Sequence, residues 1–72
     1  MNYGVVLFPS TSHAIKAEKA LNAAGLSVRL IPTPRHLGTN CGLAACITWE
    51  ERERVEDVLR AAKVEYDKVV PF

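Results

Sequence analysis

The sequence predicts an α+β domain: one four-stranded antiparallel sheet with two helices on the same face. Three observations lead there. Four short, largely apolar, β-prone segments each have a proline or glycine at one or both ends, at Tyr3–Phe8, Leu26–Ile31, Gly42–Thr48 and Glu65–Val70. Two longer segments repeat their apolar residues at helical spacing. The order is β-α-β-β-α-β, which right-handed crossovers close into one sheet.

Tyr3 to Phe8 (YGVVLF) is apolar at both parities, as a central strand buried on both faces requires. Pro9 ends it, and Ser10, Thr11 and Ser12 supply candidate N-caps, Ser10 first among them. The helix runs to about Ala24. Ala14, Ala17, Leu21 and Ala24 form a narrow face of mostly small residues that lets it lie close on the sheet, with Lys16, Glu18, Lys19 and Asn22 toward water. Gly25 supplies the stop. Leu26 to Ile31 is the second strand, ended by Pro32.

In the third strand, Leu43, Ala45 and Ile47 take one face and Ala44, Cys46 and Thr48 the other. A second helix starts near Trp49, with Thr48 as N-cap and Glu51, three residues on, completing a capping box. Glu50 and Glu51 suit the positive end of the helix dipole. Val55, Val58, Leu59 and Ala62 make the apolar stripe. Trp49 reads as a packing residue, and Glu50 to Arg54 as a solvated face with local ion pairs. Glu65 to Val70 is the last strand, closed by Pro71.

This is the ferredoxin-like split arrangement, as a single domain over residues 1–72. Its topology places the connection after the second strand at the end of the sheet where the first helix begins. The face opposite the helices has no helix to cover it, and Val6, Phe8, Cys46 and Val70 are candidates to lie there. An open apolar face implies a homodimer or a protein partner; the plainer alternative is a modest exposed patch.

Composition narrows the function. The chain has 72 residues and a formal net charge of +1, with acids and bases interspersed, which argues against a nucleic-acid binder. No apolar run reaches membrane-spanning length. Met1 to Gly4 lacks the charged start of a signal peptide. Two cysteines do not make a disulfide scaffold, so a cytoplasmic protein with reduced thiols is expected. No pattern calls for a cofactor. The chain has no phosphate-binding glycine loop, paired carboxylates or triad spacing, so an enzyme is not expected.

The longest stretch without periodicity is Pro32 to Gly42, and long connections in compact domains are often functional. Prolines stiffen its entry. It holds Arg35, His36, Cys41 and Gly42. A thiol reacts as the thiolate, so a working cysteine needs a depressed pKa. The means at hand are the free N–H groups at Ser10, Thr11 and Ser12, the permanent cation Arg35, and the imidazoles of His13 and His36. Gly42 leaves the backbone beside the sulfur uncrowded. Against this, free cysteines are among the most buried residues and most do no chemistry.

The ordered set Tyr3, Phe8, Ser10-Thr11, then Ala17-Glu18-Lys19 with Leu21, then Ala24-Gly25-Leu26, Val28-Arg29-Leu30-Ile31-Pro32, Pro34-Arg35 and Cys41-Gly42-Leu43-Ala44 resembles the small selenium/sulfur carrier family, long known only as a domain of unknown function. The resemblance covers nearly the whole chain. It implies a carrier, not an enzyme, whose Cys41 holds sulfur or selenium as a persulfide or perselenide. The atom would come from a cysteine desulfurase or similar donor and pass to an acceptor enzyme. Arg35 carries over as stabiliser of the anionic cargo, and Ser10 and Thr11 as the helix end facing it.

Two positions depart from the family pattern, Cys46 and His13. Cys46 lies five residues beyond Cys41, roughly 16 Å along an extended strand, too far for a disulfide without local unfolding. It is expected to be buried or at an interface.

Three rivals stand beside the carrier. A soft-metal carrier would want two close thiolates, as in Cys-x-x-Cys, which the chain lacks, so no metal site is expected. An RNA-binding sheet would want aromatics on the third strand, which has none. A noncatalytic interaction or small-ligand module, with Cys41 incidental, is the serious alternative.

Overall fold

The computed structural model describes residues 3–37 and 42–72. Among them the order is β1 (Tyr3–Leu7), α1 (Thr11–Ala23), β2 (Val28–Pro32), a 3-10 turn (Arg35–Leu37), β3 (Leu43–Thr48), a second 3-10 turn (Trp49–Glu51), α2 (Arg52–Ala61) and β4 (Lys68–Pro71). The strands form one sheet in the order β2-β3-β1-β4, every pair antiparallel. This is the α+β, ferredoxin-like arrangement that the sequence predicts.

The doubly apolar β1 is buried on both sides: Val5, Val6, Leu7 and Phe8 are all 0% exposed. Val6, Phe8, Ala45 and Ile47 pack with Ala14, Ala17 and Leu21 of α1 and Val55 and Leu59 of α2. We call this the inner face. Val6 and Phe8 therefore lie under the helices, not on the opposite face as expected. Of the four residues expected there, Val70 packs with Val5, and Cys46 is placed there by its pairing with Val5.

That outer face is not an open apolar surface. Val5, Leu7 and Ala44 are fully buried at its centre, and Leu37 from the first 3-10 turn packs on them together with Ile31 and Val70. The chain covers that centre itself, so Val5, Leu7 and Ala44 present no open apolar surface.

Local chemistry sets the helix ends. Ser10 is extended (φ −155°, ψ 162°) and its hydroxyl accepts the His13 N–H, so it is the N-cap of α1. At the other end Leu26 N–H reaches Leu21 O and Gly25 N–H reaches Asn22 O, both at 3.0 Å, with Gly25 at φ 81°. These are the two bonds of a Schellman stop. The same pair closes α2, where Val64 N–H bonds Leu59 O (2.9 Å) and Lys63 N–H bonds Arg60 O (3.1 Å). Here the left-handed residue is Lys63 (φ 59°), a conformation that glycine adopts at less cost.

The capping box at Thr48 does not form. Thr48 makes no side-chain cap bond, Glu51 Oε1 is buried without a hydrogen-bond partner among the described residues, and the α-helix begins at Arg52 rather than Trp49. Trp49 explains the change. Its ring lies against β1 so closely that a Cβ on Gly4 would stand 2.6 Å from its Cε3. The Arg52 guanidinium stacks 4.7 Å from the ring centroid and donates to the Trp49 carbonyl at 3.0 Å. Seating the indole tightens the first turn, and the capping hydroxyl is left aside. Ala62, expected in the buried stripe, is exposed. The last strand begins at Lys68, not Glu65, and it and β2 each take in their terminal proline.

Candidate functional site

The site predicted from sequence lies where β1 hands over to α1 and where β2 connects to β3. The antiparallel registers put these at one end of the sheet: Leu7 pairs with Lys68 and Pro32 with Leu43 there, while Gly4 pairs with Pro71 at the other end.

On the helix side, Ser10 and His13 form a unit. The Ser10 hydroxyl accepts the His13 backbone N–H at 3.4 Å and lies 2.6 Å from the ring Nδ1. Thr11 is exposed, and the first turn holds no acidic side chain, so the positive end of the helix is not neutralised from within. Ser12, His13 and Lys16 face Lys63 and Glu65 across a shallow groove of about 290 Å³.

The described start of the connection, up to Leu37, lies on the other side. Leu37 N–H bonds Pro34 O at 3.0 Å, closing the 3-10 turn, and the Leu37 side chain packs on the outer face. Arg35 and His36 are exposed on that turn. They share an end of the sheet with Ser10 and His13, but the helix rests on the inner face and the turn on the outer one. The structure thus brings Ser10 and His13 together and joins neither to Arg35 or His36.

The base of the connection is pinned. Thr33 N–H donates to Gly42 O at 3.1 Å, one step beyond the Pro32–Leu43 pair. Gly42 is exposed, and a Cβ there would meet nothing within 4 Å, so sterics do not demand glycine at this position. Cys41, the expected cargo-bearing thiol, lies outside the described residues.

Two residues escaped the sequence reading. Leu37, the one aliphatic side chain between Pro34 and Gly42, anchors the turn. Its signal was an apolar residue alone in a polar stretch. Thr33 sits at the pinned base with its Oγ1 buried and without a hydrogen-bond partner among the described residues; no pattern announced it. Cys46 is a free thiol, half-buried, beside a groove of about 640 Å³ at the opposite end of the sheet, with Tyr3, Arg29, Thr48 and Phe72. Among the described residues no three metal-binding side chains cluster, and no helix is long and apolar enough to cross a membrane.

Comparison with known proteins adds what the geometry lacks. The profile of the family described as "Putative Se/S carrier protein-like" matches residues 3–71. The chain belongs to this family. The chain is also 40% identical over 53 residues to the "Uncharacterized protein YtiA" of Escherichia coli (strain K12), an alignment that covers 74% of this chain and 62% of that protein. The chain thus spans less than two thirds of that relative. No solved structure matches it.

Proposed function

We propose that this chain is a carrier that holds sulfur or selenium on Cys41 as a persulfide or perselenide and passes it on without turnover of its own. The observation that carries the reading is the family match over residues 3–71, which includes the loop and its cysteine. A pinned loop base at Thr33–Gly42 and a turn anchored by Leu37 suit a short presenting segment.

The chemistry is thiol exchange. The Cys41 thiolate attacks the terminal sulfur of a persulfide on the donor, a cysteine desulfurase or an equivalent enzyme. A new S–S bond forms at Cys41, the donor's S–S bond breaks, and the donor thiolate leaves with the electron pair. A thiolate of the acceptor enzyme removes the atom by the same step, with no external oxidant. Selenium follows the same route. Arg35 would offset the charge of the anionic cargo, His36 would add a donor, and Ser10, Thr11 and His13 would present the helix end. The setting for such a relay is the reducing cytoplasm.

The test is the pH dependence of Cys41 alkylation in a Cys46→Ser background, with and without Arg35→Ala. A free thiol titrates near pH ~8.5. A lower midpoint that rises without Arg35 supports the activated thiol. Incubation with a cysteine desulfurase and cysteine should then add one sulfur atom to the mass of the protein, and Cys41→Ser should abolish the gain. An ordinary midpoint with no loading would transfer the function to a noncatalytic binding module.

A further inference from the structure

The two edges of the sheet, β2 and β4, are not equally protected. The Thr33–Gly42 bond marks a hydrogen-bonded pair. Antiparallel alternation then makes Ile31–Ala44 and Arg29–Cys46 bonded pairs as well. Val28, Leu30 and Pro32 therefore turn their backbone groups away from β3. Two N–H donors and three carbonyls face outward, and no bond from a described residue meets them. On the other edge Phe72 N–H bonds Tyr3 O at 2.9 Å, so Val69 and Pro71 point outward. Proline has no N–H, and a single donor remains. Each edge strand thus ends in an outward proline, and the β2 edge keeps two outward donors, Val28 and Leu30, against one on β4.

Charge says what the β2 edge accepts. Arg29 is exposed, stands on the outer face with Ile31, and has no acidic partner among the described residues. A second copy fits badly. The antiparallel register that joins Val28 to Leu30 in both directions sets the two Arg29 side chains directly opposite, which is destabilising. The register centred on Leu30 opposes Val28 to Pro32, which cannot donate. Beside Ser27, Val28 and Arg29 the 640 Å³ groove opens toward Cys46, giving room for a neighbouring apolar side chain.

We propose that the β2 edge docks an extended segment of a partner protein, added as a fifth strand, with a carboxylate opposite Arg29 and β-branched or aromatic neighbours. Main-chain bonds to Val28 and Leu30 provide the attachment, and Arg29 selects acidic strands while rejecting self-pairing. The strand would lie along the chain that leads into the connection after Pro32. The inference stands whether or not Cys41 carries cargo.

A random hexapeptide library displayed on phage, selected against the full chain and against Arg29→Glu, tests this. Selection on the native chain should enrich Asp or Glu at one position, and on Arg29→Glu should enrich Lys or Arg there. In ¹⁵N spectra the selected acidic peptide should shift and protect the Val28 and Leu30 amides, and bind Arg29→Glu roughly 5-fold more weakly. The variant changes an exposed side chain, and its own spectrum checks its fold. Failure to enrich, a preference indifferent to Arg29→Glu, shifts confined to other amides, or protection of Val28 and Leu30 by self-association would each overturn the proposal. None of these results depends on thiol reactivity, so the carrier reading stands or falls separately.

Discussion

The two faces of the sheet are both buried at their centres, but by different means. Among the described residues eleven are buried in the inner cluster, with two helices contributing Ala14, Ala17, Leu21, Val55 and Leu59. The outer cluster has three, Val5, Leu7 and Ala44, and Leu37 on a three-residue turn is part of its roof. Regular amphipathic helices are a robust cover because many residues share the burial. A short turn concentrates it on one side chain. The outer face therefore ties the order of Arg35 and His36 to the packing of Leu37, and the loop region serves the core as well as any chemistry it performs.

The largest effect is expected on the inner face. Phe8→Ala removes a fully buried ring and should cost about 3–5 kcal/mol in urea denaturation. Leu37→Ala removes a half-buried side chain, and about 1 kcal/mol is the expected cost. Hydrogen exchange at residues 35–37 should quicken in that variant before the rest of the sheet opens. Equal costs at the two positions would break the comparison, since the turn would then be as much a part of the core as the helices are.

Thr33 sharpens the contrast. Its Oγ1 is buried with no partner among the described residues, so Thr33→Val should be neutral or stabilise by up to about 1 kcal/mol. Calorimetry of the variant decides this. A loss of stability would mean that the hydroxyl is satisfied in solution. If stability is unchanged and the Cys41 alkylation midpoint moves, Thr33 is a positioning residue for the thiol.

What the sequence conveyed about these faces follows from what periodicity can encode. With both parities of β1 apolar, Val5 to Phe8 announced a doubly buried strand, and they are one. The same uniformity erased the phase, so nothing in the segment said that Val6 and Phe8 rather than Val5 and Leu7 meet the helices. Ser10 was legible because an N-cap is a local matter of one side chain and one turn. Thr48 fulfilled the same local rule, yet the Trp49 ring against Gly4 of the neighbouring strand overrode it. At the candidate site, topology gave the end of the sheet that holds both His13 and His36 but not the face. That depended on where Leu37 found burial, and a lone aliphatic residue has no period to reveal it.

The smallest effect belongs to the rim of the inner face. Tyr66 packs against the inner cluster from outside. Burial, and then the negative charge of Glu56, raise its phenol above the ordinary value, against a smaller opposing pull from Arg60. A folded-state pKa above the unfolded one favours the protonated ring. Its contribution to stability is complete below the unfolded value, near pH ~10, and is lost as pH rises through the folded one. Stability should therefore decline slightly faster above that pH than in Tyr66→Phe. Glu56→Gln should lower the phenol midpoint, read by phenolate absorbance in a Tyr3→Phe background so that one tyrosine reports. The midpoint should remain above the ordinary value, because the burial that leads the shift is untouched. A midpoint that falls all the way to that value would make Glu56, and not the helix-side packing, the dominant cause, and would move this edge of the inner face from the apolar core to the solvated surface.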